Sequence, residues 1–281
     1  MSIRIITDSA SDYAGSPRKE LTVLPMTITF GDAVFQDGVN LSHRAFYEKL
    51  IEGDTLPVTS QINPAQFEAA FRAAVENGED VIAVVLSSKL SGTYQSACIA
   101  AEAFAGRVFV VDSRNATIGE SVLVQRAFQL MDAGLSAPAI AAMLEKERED
   151  IRLVALLNTL EYLQRGGRLS KSAAIVGGIL SIKPVVAVVD GEVKVLGKAR
   201  GSKNGNNLLI QQIEATSGID FDRPYCLGYT GLDDQLLQKY ISDSTVLWAG
   251  HTGHHPQCTV GATIGTHVGP GAIAVAFFCK E

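Results

Sequence analysis

The sequence predicts an α/β protein of two domains: an N-terminal three-layer α/β/α domain with a mostly parallel sheet, and a C-terminal α/β domain with a mixed sheet. Apolar runs of strand length alternate with helical patterns through the first half, a rhythm typical of parallel sheets flanked by helices. In the second half, Asp190-Gly191 joins two apolar runs and signals an antiparallel hairpin. The 281 residues also exceed what one hydrophobic core usually serves.

The elements of the first half follow from this alternation. Strands are predicted at 3–7, 21–30, 81–86 and 108–111. A helix begins after Asn63, which is followed by a first-turn proline and by Gln66 as its capping-box partner, and Gly78 ends it. Further helices are predicted at 92–104, 117–132 and 136–149. The charged stretch 145–152 is typical of a solvated exit from a domain, so the predicted domains comprise residues 1–150 and 151–281.

The second half combines helices with strands. Strands are predicted at 153–157, 184–189, 193–195, 225–229, 246–248 and 272–278. Helices are predicted at 173–180 with Ser170 as the cap, after the polar stretch 201–205, and at 236–241. Because the hairpin pairs its two strands antiparallel, the sheet of this half is predicted to be mixed.

The composition argues against several classes of function. The 24 basic and 30 acidic residues leave a net charge of −6 with no block of five like charges, which argues against a nucleic-acid partner. No apolar run approaches the roughly 18 residues that span a bilayer, and the N-terminus lacks the pattern of a secretory signal. The four cysteines form no C-x-x-C pair and suit a reducing compartment. We therefore expect a cytoplasmic protein with no transmembrane segment.

Residues 265–272 form the most informative segment of the chain. Thr266 places a hydroxyl beside the imidazole of His267, and two glycines and a proline restrict the backbone that follows. We expect a loop that presents this pair of side chains to a ligand. A tight turn whose histidine satisfies a backbone carbonyl fits the same residues.

Hydroxyl-rich turns predict an anion site. Thr59-Ser60 and Ser91-Gly92 lie where extended runs end, and in open α/β sheets ligands bind outside the carboxyl ends of the strands. A helix that begins at Gly92 would offer its N-terminal amides to a carboxylate. Arg168, which follows a pair of glycines, would reach a planar anion with its guanidinium. Each hydroxyl also fits an ordinary helix cap, and Arg168 also fits an inter-domain salt bridge.

A second hypothesis is a serine hydrolase that acts on small esters or acyl groups. Ser91 would be the nucleophile and His267 the base, with Asp8 or Asp112 orienting the imidazole. The sequence around the serine is not the G-x-S-x-G elbow, because Lys89 stands in place of the first glycine. Catalytic triads are defined by geometry, so the sequence leaves this alternative open.

A string of histidines raises the question of a metal. His251, His254, His255 and Cys258 lie close together in sequence, but the glycines and the proline among them indicate a loop without a scaffold that would align tetrahedral ligands. No glycine-rich phosphate loop of the familiar kinds occurs. We expect neither a metal nor a cofactor.

Short motifs spread over the whole chain carry a family resemblance. In order they are Ile6-Thr7-Asp8-Ser9, Leu24-Pro25-Met26, Thr59-Ser60-Gln61, Leu90-Ser91-Gly92-Thr93, Leu160-Glu161-Tyr162-Leu163, Gly166-Gly167-Arg168-Leu169-Ser170 and His267-Val268-Gly269-Pro270-Gly271. Each motif is weak alone, but their order and spacing together are specific. On these motifs the chain resembles the DegV family of fatty-acid-binding proteins, which includes the binding subunits of bacterial fatty acid kinase. The loop 250–261 follows no pattern of that family.

The resemblance implies two α/β domains with a long-chain fatty acid in a tunnel between them. The residues that would hold its carboxylate are Thr59, Ser60, Ser91, Gly92, Thr266 and His267. Arg168 would lie near the head group or at the surface used by the kinase. The catalytic subunit of the kinase would phosphorylate the carboxylate to an acyl phosphate, so this protein would be a carrier without a catalytic residue or cofactor of its own.

Two further expectations concern the ligand. The side chains that could line the tunnel are Ile175, Ile179, Val186, Val188, Phe277 and Phe278. Ordinary core packing also explains each of them. A relative of sugar or dihydroxyacetone-type kinases, which would bind a small polar ligand instead of a lipid, is a third hypothesis.

Overall fold

The computed structural model describes residues 2–169, 182–248, 250–251 and 253–280. The strands are β1 Ile3–Asp8, β2 Leu21–Leu24, β3 Thr27–Phe30, β4 Ala33–Gln36, β5 Val58–Ser60, β6 Asp80–Val85, β7 Val108–Asp112, β8 Ile151–Leu156, β9 Ile182–Val189, β10 Glu192–Arg200, β11 Tyr225–Tyr229, β12 Gln257–Thr259 and β13 Ile273–Phe278. The helices are α1 His43–Glu52, α2 Pro64–Glu76, α3 Thr93–Ala101, α4 Thr117–Asp132, α5 Ala137–Glu147, α6 Glu161–Arg165, α7 Ser202–Glu214, α8 Gln235–Asp243 and α9 Ala262–Val268. The predicted α/β class is confirmed.

The strands form three sheets in the described part of the chain. Four parallel strands in the order β2-β1-β6-β7 form the first sheet, as predicted for the first half. Six strands in the order β10-β9-β8-β13-β11-β12 form the second, which is mixed because only β11 and β12 pair in parallel. The third is a small antiparallel sheet, β4-β3-β5, which the sequence did not predict.

The predicted strand at 21–30 is wrong in one respect, because this run forms two strands in two sheets. β2 ends at Leu24 and joins the parallel sheet, whereas β3 begins at Thr27 in the small antiparallel sheet. Pro25 lies between them, and its missing N–H and fixed φ interrupt a hydrogen-bonded ladder.

Several local signals are confirmed. In the hairpin of β9 and β10, Asp190 and Gly191 have φ values of 52° and 81°, as a two-residue turn with positive φ at both positions requires. The capping box of α2 is complete, because Asn63 and Gln66 exchange both of the expected hydrogen bonds. Helix α3 is shorter than predicted and passes into a 3₁₀ turn at Glu102–Phe104.

The predicted strand at 246–248 is wrong, and the predicted helix at 173–180 with its cap Ser170 lies outside the described residues. Residues 244–248 form turns in which the amides of Leu247 and Trp248 bond to carbonyls three residues earlier. The indole N–H of Trp248 also donates to the hydroxyl of Ser244 at 2.9 Å. These local bonds satisfy the groups that a strand would have offered to a neighbour.

Helix α4 connects the parallel sheet to the mixed sheet. It contacts β1 and β6 on one side and β8, β11 and β13 on the other, and most of its residues are buried. One hydrophobic cluster therefore runs from Ile5 and Val84, through Val122 and Phe128, to Phe278. In the described part of the chain, no helix has the length and apolar character needed to cross a membrane.

Candidate functional site

A cavity of about 400 Å³ lies where the carboxyl ends of the parallel strands meet the mixed sheet. Its walls include Leu86 just after β6, Thr117 at the start of α4, Ala155 of β8, Val186 of β9 and Ile264 of α9. The lining is predominantly apolar, and the volume falls within the range of small-molecule pockets. The carboxyl ends of strands are where open α/β sheets bind ligands.

The predicted tunnel-lining residues divide between the cavity and the core. Val186 and Val188 line the cavity. Phe277 and Phe278 do not, because they follow the part of β13 that reaches it and are buried in two hydrophobic clusters on opposite faces of the sheet. Ile175 and Ile179 lie outside the described residues.

His267 lies on a helix, and the expected loop at 265–272 is therefore wrong in its first part. Residues 262–268 form α9, which ends at Gly269, whose φ of 70° and ψ of −179° are a combination that is essentially restricted to glycine. The imidazole Nε2 of His267 and the hydroxyl of Thr59 are 2.8 Å apart and share a hydrogen bond. The histidine thus meets a residue from β5, more than two hundred positions away.

Thr266 does not join its neighbour at the cavity. Successive helical side chains project in directions about 100° apart, so His267 can face the cavity while Thr266 faces another surface. The hydroxyl of Thr266 donates to the carbonyl of Ala262 at 2.8 Å, and the residue is buried away from the cavity lining. Of the predicted pair, the structure brings only His267 to the cavity.

The imidazole of His267 is tightly packed on the side of its Nδ1 atom. Its Nδ1 atom is buried without a hydrogen-bond partner in the described part of the chain. A Cβ atom placed on Gly166 would lie 2.2 Å from that nitrogen, so the glycine backbone packs directly against the ring. Burial, with the positive charge of Arg168 as a second cause, lowers the pKa of His267 to about 4. The imidazole is therefore neutral at pH 7.

Arg168 lines the cavity with a half-buried guanidinium. Its Nε donates to the carbonyl of Leu90 at 3.1 Å and its Nη1 to the carbonyl of Gly166 at 2.5 Å. No carboxylate among the described residues forms an ion pair with it, so the alternative of a salt bridge finds no partner there. Burial accordingly lowers the pKa of Arg168 below its usual value. Carbonyl dipoles alone compensate this charge within the described structure.

The start of α3 forms another wall of the cavity. The hydroxyl of Ser91 accepts from the amide of Thr93 at 3.3 Å and lies 3.0 Å from its hydroxyl. This bond closes the turn before α3, but the N-cap residue is Gly92, which has no side chain to cap the helix. A Cβ atom on Gly92 would lie 2.1 Å from Oε1 of Gln61, which packs against the helix start. Ser91, Gly92 and Gln61 all line the cavity, as does Ser60. Gln61 was part of a recognised motif but was not predicted as a site residue.

The structure thus brings six of the seven predicted site residues to one cavity. These residues are Thr59, Ser60, Ser91, Gly92, Arg168 and His267. We name them the head-group cluster, after the role that the family resemblance implies for them.

The arrangement of a serine triad is not seen in the described residues. The hydroxyl of Ser91 bonds within its own turn, and Nε2 of His267 bonds to Thr59. Asp8 accepts from the amides of residues 10 and 86, and Asp112 from those of residues 88 and 114, so both carboxylates serve the backbone. Neither orients the imidazole, which a triad requires.

A second group of hydroxyls at the cavity was missed. Thr117, Thr230 and Thr263 line it, and their hydroxyls bond to Asp12, the amide of residue 272 and Asp37, respectively. They come from three separate elements, and none lies in a motif, so the sequence carried no signal that would group them.

Two of the three histidines between 251 and 258, His251 and His255, contact aromatic side chains. His251 stacks on Phe221 with ring centroids 3.8 Å apart, while Nδ1 of His255 lies 3.2 Å from the hydroxyl of Tyr225. These imidazoles are therefore engaged in separate contacts. Among residues 2–169, 182–248, 250–251 and 253–280, no group of three or more ligating side chains is placed to hold a metal ion.

Comparison with known proteins decides the family. The model of the DegV family, described as uncharacterised proteins, matches residues 2–280. The chain belongs to the DegV family. A DegV domain-containing protein of Caldanaerobacter subterraneus subsp. tengcongensis is 37% identical over 279 residues, which cover 98% of each chain.

Solved structures of DegV proteins share this fold. A DegV family protein from Thermus thermophilus, whose structure is described as showing fatty acid binding, is 32% identical with a TM-score of 0.86 and covers 99% of this chain and 100% of its own. The fatty acid kinase B3 protein of Streptococcus pneumoniae, loaded with linoleic acid, is 23% identical with a TM-score of 0.85, and both chains are fully covered. The second likeness shows the fold alone.

Proposed function

We propose that this DegV-family protein encloses one long-chain fatty acid between residues 1–150 and residues 151–281 and presents its carboxylate to the catalytic subunit of a fatty acid kinase. The observation that carries the proposal is the position of Arg168. Its half-buried guanidinium has no carboxylate partner in the described structure and lines a cavity whose walls are mostly apolar. A ligand with one acidic end and a long apolar body matches both features.

The head-group cluster offers donors suited to one carboxylate. The guanidinium of Arg168 supplies the charge, and its planar donors match the two oxygens of a carboxylate. The hydroxyls of Thr59 and Ser91, with the amides at the start of α3, supply neutral donors. Because His267 is neutral at pH 7, it adds no charge. With its proton on Nε2 it donates to the hydroxyl of Thr59, whose own proton is then free for the carboxylate.

The acyl tail would supply most of the binding free energy. Each methylene moved from water into the apolar part of the cavity contributes about 0.8 kcal/mol. Walls such as Val186, Val188 and Ile264 offer the necessary surface. The head-group cluster then orients the ligand more than it attracts it, which suits a protein that hands a carboxylate to a partner.

The proposed role is that of a carrier without catalytic residues or cofactor. The kinase partner is proposed from the family resemblance, and a protein of the same fold carries the name of a fatty acid kinase subunit. The hydrolase alternative would need Ser91 and His267 to bond to each other, whereas each bonds elsewhere.

Native mass spectrometry of the purified protein tests the proposal. We expect a mass increment equal to one fatty acid, and uptake of added palmitate by protein from which lipid has been extracted. Arg168→Met should weaken palmitate binding, whereas Arg165→Met, which removes an exposed guanidinium that pairs with Glu161, should not. Protein that neither carries nor takes up fatty acid would reject the proposal. Hydrolysis of a chromogenic ester that Ser91→Ala abolishes would favour the hydrolase instead.

A further inference from the structure

Two carboxylates from distant parts of the chain hold the N-terminus of α9, the helix that carries His267. Asp37 accepts from the amides of Ala262 and Thr263, at 3.1 and 3.0 Å, and from the hydroxyl of Thr263 at 2.5 Å. Asp12 accepts from the preceding amide at 2.6 Å. The first amides of a helix have no acceptor within the helix. The start of α9 is therefore fixed by side chains that lie outside it.

The small antiparallel sheet contacts α9 at two points. Asp37 directly follows β4, and Thr59 lies on β5. Both strands pair with β3, in which Ile28 is opposite Phe35 of β4 and opposite Thr59 of β5. The first contact is the cap at Thr263, and the second is the hydrogen bond between Thr59 and His267. The two contact points on the helix are four residues apart, about 6 Å along its axis. The small sheet, with the residue that follows β4, thus fixes both the position of α9 along its own axis and the hydrogen-bond partner of His267.

Glycines on α9 leave this helix little freedom to compensate for a lost cap. A Cβ on Gly265 would lie 2.6 Å from Phe46 and 2.7 Å from the hydroxyl of Tyr47, and one on Gly269 would lie 2.3 Å from Tyr162. The helix therefore packs with its backbone against α1 and α6. In such close packing, a shift at the first turn has to be taken up by the whole helix rather than by one side chain.

We propose that Asp37, supported by Asp12, is a positioning residue for the head-group cluster: it sets α9 against the small sheet and so fixes the hydrogen bond between Thr59 and His267. This inference rests on the proposed function. Asp37 is only 3% exposed, and no basic side chain in the described part of the chain forms an ion pair with it. The three donors of α9 account for its burial.

The test compares Asp37→Asn with the wild-type protein. Asparagine keeps the volume, but its single acceptor oxygen can serve only one of the two amides, and its NH₂ group faces the other. We expect palmitate affinity to fall about 3- to 30-fold, the range that corresponds to the loss of a helix cap. Affinity for methyl palmitate, which lacks the carboxylate, should stay nearly unchanged. The NMR resonance of the His267 imidazole should move.

Asp233→Asn is the matched control variant. Asp233 is exposed and accepts at 3.1 Å from the amide of Gln235, the first residue of α8, so Asp233→Asn should change none of these readouts. Unchanged palmitate affinity and an unmoved His267 resonance in Asp37→Asn would overturn the inference, as would equal losses for palmitate and methyl palmitate. If Asp37→Asn does not fold, Asp12→Asn takes its place under the same criteria. Wild-type protein that binds no palmitate would instead refute the proposed function.

Discussion

Replacing Gly166 by alanine should disrupt the head-group cluster without changing any charge. Gly166 has φ −72° and ψ −7°, a conformation that alanine adopts freely, so the backbone itself tolerates the change. The added Cβ would lie 2.2 Å from Nδ1 of His267, whereas ordinary contact begins at 3.4 Å, so the imidazole must move by about 1.2 Å to make room. A movement of that size breaks the 2.8 Å hydrogen bond to Thr59.

The magnitude follows from these two effects. Overpacking a filled site costs about 1–3 kcal/mol of folding free energy. The lost hydrogen bond corresponds to about 1 kcal/mol of binding free energy, so palmitate affinity should fall roughly fivefold. Urea unfolding and palmitate titration by calorimetry measure the two quantities. Gly253→Ala is the control, because a Cβ there meets nothing within 4 Å and its φ is not in the left-handed region.

A double-mutant cycle tests whether the imidazole is the obstacle. In a His267→Ala background the ring is absent, so Gly166→Ala should cost far less stability than it does in the wild-type background. Equal costs in the two backgrounds would refute the reasoning. Wild-type affinity and stability in the single variant Gly166→Ala would refute it as well.

Three further predictions concern titration and packing. The His267 imidazole should show no titration between pH 5.5 and 8 by NMR, because its pKa is about 4. Arg168→Met should raise that pKa, because it removes the positive charge beside the ring. A titration midpoint near 6.5 in the wild-type protein would contradict the first expectation. Burial raises the pKa of Asp8 from 3.8 to about 6, so the folded state holds this proton more tightly than the unfolded state does. The resulting stabilisation is fully present below pH 3.8, the pKa in the unfolded state, and is lost as pH rises through 6. As pH falls from 7 to 5, the free energy of urea unfolding of the wild-type protein should therefore rise by about 1.4 kcal/mol relative to that of Asp8→Asn. A difference between the two proteins that does not change with pH would contradict this prediction. Gly265→Ala should lower the unfolding free energy by about 1–3 kcal/mol because its Cβ would collide with Phe46, and a thermal midpoint equal to the wild-type value would show that α9 can shift.

The elements that the sequence predicted correctly are those whose signals are local. The capping box at Asn63 and the Asp190-Gly191 turn each lie within four consecutive residues, and each was found where it was expected. The small antiparallel sheet was missed because its strands are three or four residues long and β4 is mostly exposed, so no alternation of apolar and polar residues marked it. The strand expected at 246–248 failed because its apolar residues close a turn through the hydroxyl of Ser244.

The candidate site shows the same division. Motifs identified Thr59, Ser91, Arg168 and His267 as special residues, and the structure places all four at one cavity. The sequence could not reveal that Thr266 turns away, because it did not show that this segment is helical. The neutral state of the imidazole was equally hidden, since it depends on burial and on a guanidinium a hundred residues away.

The features of the site that the sequence could not reveal are those created by pairing across the fold. The small sheet supplies the hydroxyl that bonds to His267, and the residue directly after β4 supplies the carboxylate that caps the helix of His267. The strands of this sheet and that helix lie at opposite ends of the chain. The bonds of the cap are buried and the bond between Thr59 and His267 is partly buried, and buried polar groups are costly to leave unpaired. Correct pairing of the sheet with α9 is therefore a condition of stability as well as of binding. A variant that weakens one of these contacts should lose head-group recognition before it loses the fold, because the hydrophobic clusters around α4 lie elsewhere and remain intact.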